Sequence, residues 1–368
     1  MSGRVLRFPH KAVSSAEAQS AALRVLATPI ADRARLAIHL ALDEPETLLA
    51  VCGRLRDQLE SSPASVRDDA DFLYRFIEKP KRAIGLFDER DYFLGETALI
   101  GGTACRILFR RDDARRWFDR AEAAFRHTLN AVAEWSRVAY QRLALRLEEH
   151  QLDEVLELAP SLVASFEKLE MHKDALKCRF LEAVALKEGD RLSEAGDLFR
   201  RICQDAETVG SDKLLAIASY NLLQIHGFLG QAEEAMVEAA RALPILRRLN
   251  NRVGIAKLHW GLAYLLRSQG RLAESLDAFR AAQTEFSEIG MRADVAAVHL
   301  VLADVLLELG QDSQATLEVL AALPVIEEEK MVPEGMAAFS LLRESVRQQR
   351  INRQALRDLH GYFEEIQS

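Results

Sequence analysis

The sequence predicts an all-α solenoid of antiparallel helix pairs, and three observations carry that prediction. The first is an echo at one small-residue column, Ala114, Val155, Ala195, Ala235, Ser275, Ala315 and Ala355, spaced 41 residues once and then 40 five times. A fixed period in the range of roughly 20–50 residues marks stacked units that bury their apolar faces only against neighbours. The second is a stripe anchored on that column. Four residues on stand Phe118, Ala159, Phe199, Ala239, Phe279, Val319 and Leu359, and seven on stand Ala121, Leu162, Ile202, Ala242, Ala282, Ala322 and Tyr362. Offsets of 0, 4 and 7 share one helical face. The third is a glycine shortly before the column, at Gly189, Gly230, Gly270 and Gly310. Glycine there closes the preceding helix in the left-handed conformation without a Cβ clash.

Each element follows in order. Residues 1–15 carry Arg4, Arg7 and Lys11 and read as a flexible terminus, with a short docking motif as the other reading. They lack the apolar core of roughly 7–15 residues that a secretory signal needs. Residues 16–93 do not repeat and predict helices over 16–27, 30–42, 46–60 and 64–78, with Pro45 and Pro63 as first-turn prolines. The plain reading is a helical cap over the open end of the array. Residues 83–97 are richer in aromatic and turn residues and lead into the first repeat. The array itself spans 94–368 as about seven units of helix A, turn and helix B. Glu154, Glu194, Glu234 and Glu274 put negative charge in the first turn of helix B, where the macrodipole favours it. Pro244 and Pro324 sit late in helix B and predict a kink or a break there, Pro160 less so. Pro333 opens the last helix A, and Arg343 in place of its small residue predicts a polar C-terminal capping pair.

Composition narrows the function. The formal net charge of −8 argues against a general nucleic-acid binder, which needs a basic face to release phosphate counterions. No stretch approaches the roughly 20 apolar residues of a membrane span, and a cytoplasmic protein is expected. Cys52, Cys105, Cys178 and Cys203 show no paired spacing and are expected as buried free thiols.

The lines GLAYLLRSQGRLAESLDAFRAA and VLADVLLELGQDSQATLEVLAA resemble the tetratricopeptide repeat (TPR), in a long variant of about 40 residues like that of bacterial TPR regulators. They carry its small helix A residue (Ala263, Ala303), its turn glycine, its helix B opening (Ser275, Ala315) and its alanine seven on (Ala282, Ala322). The resemblance covers residues 94–366 and implies a right-handed superhelix with a concave groove lined mainly by helix A. It also implies a shape shared by many functions rather than an activity.

Direct chemistry is not in evidence. The nine histidines form no metal-ligand spacing, and His259 and His299 share one helix A column a repeat apart. Gly101-Gly102 lies in a helical pattern and reads as close helix packing rather than an anion cradle. No cofactor, metal or catalytic residue is expected, and the protein is not read as an enzyme.

A second column is the candidate site. Fifteen residues before the small position stand Leu99, Tyr140, Phe180, Tyr220, Trp260, Leu300 and Ser340, so four consecutive repeats place an aromatic at one point of helix A. Around it lie Arg137, Lys177 and Lys257, three residues earlier, and Lys187 and Arg267, seven later. Asn221 and Gln224 could hydrogen-bond a peptide backbone from the same surface. Ordinary packing between repeats explains the aromatics equally well, and a solvated helix face explains the cations. As a binding strip, the constellation suits an extended acidic segment. The expected function is therefore a protein-interaction module, an adaptor or regulatory subunit that captures a peptide or helix of a partner. The alternative is a ligand-responsive sensor for a small peptide or metabolite.

Overall fold

A computed structural model describes residues 16–36, 39–42, 44–79, 89–128 and 131–328, together with 354, 356–358, 360 and 361. The described residues are helix and turn, with no strand among them. The basic residues of the first fifteen, the segment 83–88, Pro333, Arg343 and Ser340 lie outside the described residues. The chain divides into two compact units, Met1–Ala185 and Leu186–Ser368, and the boundary falls within one helix.

The N-terminal helices are α1 (Ala16–Ala27), α2 (Ile30–Arg33), α3 (Pro45–Gln58) and α4 (Pro63–Glu78). Pro45 and Pro63 stand in the first turns of α3 and α4, as expected. The helix expected over 30–42 stops at Arg33 instead. Arg33 is buried, donates to Asp69 (Nη1–Oδ1 2.7 Å), and also donates to the carbonyls of Thr28 (2.8 Å) and Leu26 (3.2 Å). A buried guanidinium must be paired, and that tertiary demand overrides the local helical pattern. One core cluster holds Val25 and Leu55 together with Leu73, Phe93 and Ile100, so the N-terminal helices share their core with the first helix of the array.

Among the described residues, twelve helices follow as six pairs. The A helices are α5 (Arg90–Ile107), α7 (Val132–Glu148), α9 (His172–Glu188), α11 (Asp212–Phe228), α13 (Arg252–Ser268) and α15 (Arg292–Glu308). The B helices are α6 (Arg111–Phe125), α8 (Leu152–Lys168), α10 (Leu192–Thr208), α12 (Ala232–Arg248), α14 (Leu272–Glu288) and α16 (Asp312–Glu328). The small-residue column is the buried seam of helix B: Ala114, Val155, Ala195, Ala235, Ser275 and Ala315 are all fully buried. Ser275 needs a partner there, and its hydroxyl donates to the Ala263 carbonyl of helix A at 2.8 Å.

The backbone repeats twice as often as the sequence does. From α8 to α16 every helix has 17 residues, and consecutive helices start 20 residues apart. Each link is a Schellman turn. At Gly230 (φ 70°), for example, the Gln231 N–H donates to the His226 carbonyl at 2.8 Å and the Gly230 N–H to the Gly227 carbonyl at 3.1 Å. The left-handed residue recurs at His150, Glu170, Asp190, Gly210, Gly230, Asn250, Gly270, Gly290 and Gly310. The turn therefore falls on Asp190, not on the Gly189 singled out from sequence, because helix length sets its position. Pro160, Pro244 and Pro324 all lie inside continuous helices, so the break expected at the last two does not occur. Ala242, Ile245 and Leu246 are buried on both sides of Pro244 and hold its helix together across the lost hydrogen bond.

The glycines of α5 serve packing, as the sequence suggested. A Cβ on Gly102 would lie 2.5 Å from the Phe118 ring, and one on Gly95 would lie 2.3 Å from the Phe125 ring. Both rings are fully buried and cannot withdraw. Gly102→Ala is expected to destabilise the N-terminal unit by about 1–3 kcal/mol, read as a lower urea midpoint at unchanged slope. Gly53→Ala, where a Cβ meets nothing within 4 Å inside α3, is the control and should stabilise by up to about 1 kcal/mol. All four cysteines are buried and free.

Candidate functional site

In the unit Met1–Ala185, helices α5 and α7 are joined by a buried charge cluster. Glu96 is 1 % exposed and accepts from Arg56 of α3 (2.8 Å) and Arg137 of α7 (2.6 Å). Neither Arg56 nor Glu96 was singled out in the sequence. The signal was a lone acid inside the apolar run YFLGETALIGG, since a charge buried in such a helix must find a partner. Beside this cluster opens a cavity of about 230 Å³ lined by Arg56, Leu99, Thr103, Arg137, Tyr140, Gln141 and Lys177, among others. Three expected residues, Arg137, Tyr140 and Lys177, thus share one wall. The Tyr140 ring is half-buried on the core of α8 and α9, and burial raises its phenol pKa to about 12. It stays a neutral hydrogen-bonding group. Lys177 is exposed, with its ammonium on Asp174 one turn away at 2.9 Å. Phe180 lies half-buried further along α9 and is not among the cavity's lining residues.

In the unit Leu186–Ser368, four expected residues form one network. The Lys187 ammonium donates to Asn221 Oδ1 (2.7 Å) and Gln224 Oε1 (3.0 Å). Gln224 Nε2 donates to the Tyr220 hydroxyl (3.1 Å), and Asn221 Nδ2 donates to the Ile217 carbonyl (2.9 Å). Burial lowers the Lys187 pKa, against a smaller upward pull from the neighbouring Glu188. Burial likewise raises Tyr220 to about 12. The Tyr220 ring reaches the position of Gly261 on α13. An ammonium bonded to neutral amide oxygens can also meet an anionic ligand, which would favour its charged form.

Trp260 and Arg267 are engaged within this unit. The Trp260 ring meets Tyr264, Phe279 and Phe286 edge-on and is stacked by the imidazole of His360, with centroids 6.0 Å apart and planes at 18°. Arg267 donates to Asp304 (2.5 Å) and Glu308 (2.7 Å). Lys257 is exposed on α13. Of the two histidines sharing a column, His299 bonds Glu318 at 2.6 Å, and His259 keeps a buried Nδ1 without a partner. Among the described residues no group of three or more His, Cys, Asp or Glu is placed to hold a metal ion, and no helix is long and apolar enough to cross a membrane.

Helix pairs closed by such turns, with a small-residue seam on helix B, define a TPR-like helical-repeat fold. No protein-family model and no curated protein matches the sequence significantly. Solved structures do. The chain is similar to aspartyl phosphate phosphatase F from Bacillus subtilis, with TM-score 0.57 and 13% identity over 100% of this chain and 96% of that one. It is similar to a Rap protein complexed with competence and sporulation factor, with TM-score 0.56 and 13% identity over 95% and 98%. It also resembles a signal transduction ATPase with numerous domains that carries a tetratricopeptide repeat sensor, from Pyrococcus horikoshii, with TM-score 0.53 and 15% identity over 94% of this chain and 56% of that one.

Proposed function

We propose that the chain is a protein-interaction module, an adaptor or regulatory subunit, that binds a peptide or helix of a partner on its helix A surface. The observation that carries this reading is the cavity of about 230 Å³ where Tyr140 lies beside Arg56, Arg137 and Lys177. Two arginines paired with Glu96 and a lysine paired with Asp174, itself a lining residue, share that wall with an aromatic ring and the amide of Gln141. The set suits a carboxylate held by charge-assisted bonds, with the segment's backbone on the amides. The Lys187–Asn221–Gln224 network offers the same chemistry in the other unit. The partner is an acidic segment of a cytoplasmic protein, not nucleic acid, and no catalytic step is required of the chain. Phe180 belongs to this reading within the first unit, and Tyr220, Trp260, Lys257 and Arg267 belong to it within the second. The Rap protein of this fold is complexed with competence and sporulation factor, which supports a binding role for the fold. Residues 16–93 would cap the array of 94–368.

A sensor role for a small peptide or metabolite is the second reading, favoured by the sensor module of the Pyrococcus horikoshii protein. A photo-crosslinking residue placed at 140, 220, 237 or 317 in the native cell separates the surfaces. Val237 and Leu317 are apolar residues of helix B exposed at 64% and 66%. Adducts are expected at 140 and 220, lost with Lys177→Ala and Lys187→Ala. Single hot-spot losses there should weaken binding by about 2 kcal/mol. Adducts confined to 237 and 317 would move the interface to helix B and overturn the reading.

A further inference from the structure

Another cavity of the unit Met1–Ala185 lies between α4 and α6, with Cys105 of α5 among its lining residues. It measures about 370 Å³ and shares no lining residue with the cavity beside Tyr140. That size falls in the range of roughly 300–1,000 Å³ that small-ligand sites occupy. Helical spacing gathers its charges. On α6, Asp113, Arg116, Trp117 and Arg120 stand at offsets of 0, 3, 4 and 7, and on α4, Asp68, Asp71 and Arg75 are spaced by three and four. Arg67 and Arg110 complete a wall of five arginines and three aspartates, in a chain whose formal net charge is −8.

Four of these arginines are paired and one is not. Arg67 meets Asp68 at 2.7 Å, Arg75 meets Asp71 at 3.0 Å, and Arg110 and Arg116 share Asp113. Arg120 makes no ion pair among the described residues. Its guanidinium lies over two rings instead, 4.7 Å from the Trp117 centroid and 5.4 Å from that of Tyr74. Those rings meet edge-on, with centroids 5.3 Å apart, and form a fixed corner. A guanidinium carries its donors in its own plane, so stacking on ring faces orients Arg120 and leaves its N–H edges for an acceptor. Exposed ion pairs hold weakly, and the Arg75 and Arg116 side chains, 72% and 67% exposed, are free to turn to a stronger acceptor.

Five arginines against three aspartates leave a surplus of two positive charges. A phosphate monoester carries about −1.5 to −2 at neutral pH, and its oxygens suit forked guanidiniums taken two at a time. A single carboxylate would neutralise only half of the surplus. We propose that the α4–α6 cavity is a binding site for a phosphate monoester, with Arg120 as its pre-oriented donor and Arg116 as its second. The carrier is either a small phosphorylated molecule or a phosphorylated side chain of a protein, and the test separates the two.

The probe is glycerol 2-phosphate, observed by phosphorus NMR as full-length chain is added at neutral pH and low salt. Its resonance should broaden saturably. Dimethyl phosphate, which carries one negative charge, should bind at least about tenfold more weakly. Arg120→Gln should weaken the monoester at least about fivefold, and Arg120→Lys, which keeps the charge but not the fork, by an intermediate factor. Arg115→Gln should leave binding unchanged, because Arg115 is on the same helix but outside the wall, paired with Asp112 and Glu149. Arg120 is exposed, so its variants should keep the wild-type circular dichroism. Acetyl-phosphoserine amide is the second probe. Tighter binding than glycerol 2-phosphate assigns the site to a phosphorylated protein segment, and equal or weaker binding assigns it to a small phosphorylated molecule. No saturable binding of either monoester, or equal binding of glycerol 2-phosphate and dimethyl phosphate, overturns the proposal. Equal losses in Arg115→Gln and Arg120→Gln overturn it too, by reducing the effect to diffuse surface charge.

Discussion

Replacing Arg56 and Arg137 together with alanine is expected to destabilise the N-terminal unit by about 3–5 kcal/mol. Glu96 is 1 % exposed, and its two oxygens are each met by one guanidinium, Oε2 by Arg56 and Oε1 by Arg137. Removing both leaves a buried carboxylate with neither solvent nor partner. Each single change should cost less than half as much, because the remaining arginine still compensates the charge. The double variant should therefore be more than additive. Glu96→Leu is expected to cost less than the double variant. Arg56 and Arg137 side chains are 38% and 25% exposed, so both can turn to water when the acid is gone. Urea unfolding of wild type and the four variants checks this order, and an additive cycle or a Glu96→Leu chain as unstable as the double variant would refute it. Because Arg56 and Arg137 also line the cavity of about 230 Å³, the double variant should bind no partner even where it remains folded.

Acidification is expected to weaken the packing of His360 on α13. Burial lowers the His360 pKa from 6.5 to about 4, and the neighbouring Arg267 pushes it the same way, against a smaller upward pull from Asp304. The charges acting on it are Arg267 on α13 and Asp304 on α15, which are joined to Glu308 and Arg357 in one cluster, with the Tyr264 hydroxyl as hydrogen-bond partner. The packed form holds a neutral ring, whereas the free imidazole takes up a proton below the ordinary value. Packing is thus at full strength above about pH 6.5 and weakens as pH falls through the window down to about 4. The slope is about 1.4 kcal/mol per unit, or about 3 kcal/mol across the window. Hydrogen exchange at His360 at pH-corrected intrinsic rates should show protection falling between those limits. His360→Phe keeps a ring over Trp260 and should flatten the profile. The same pH dependence in wild type and His360→Phe would show that another group controls it.

Much of the fold was legible because a solenoid writes its packing into a period. Ala195, Phe199 and Ile202 of one unit, and Ser275, Phe279 and Ala282 of another, are buried in the places that offsets of 0, 4 and 7 dictate. The turns were legible as a position but not as a residue. Glu170 and Asp190 adopt the left-handed conformation that a glycine search misses, since 17-residue helices bring the chain round there whatever the side chain. The Pro244 helix was misread because proline propensity is local and Ile245 and Leu246 are held by tertiary packing. Within the candidate site, Tyr220 stands beside Asn221 and accepts from Gln224 on the same helix. The column could not show that Lys187 is the cation they hold, because that bond joins residues 34 and 37 positions apart.

By itself the sequence determined the helix pairs of the array, the buried seam of helix B and the burial of the cysteines. All of these follow from local periodicity, which one strand of text records in full. Only the tertiary structure decided that Glu96 joins α3 to α5 and α7, that Arg33 ends its helix to reach Asp69, and that His360 lies on Trp260. Each of those is a partnership between residues tens of positions apart, chosen because a buried charge or ring must meet its complement in space.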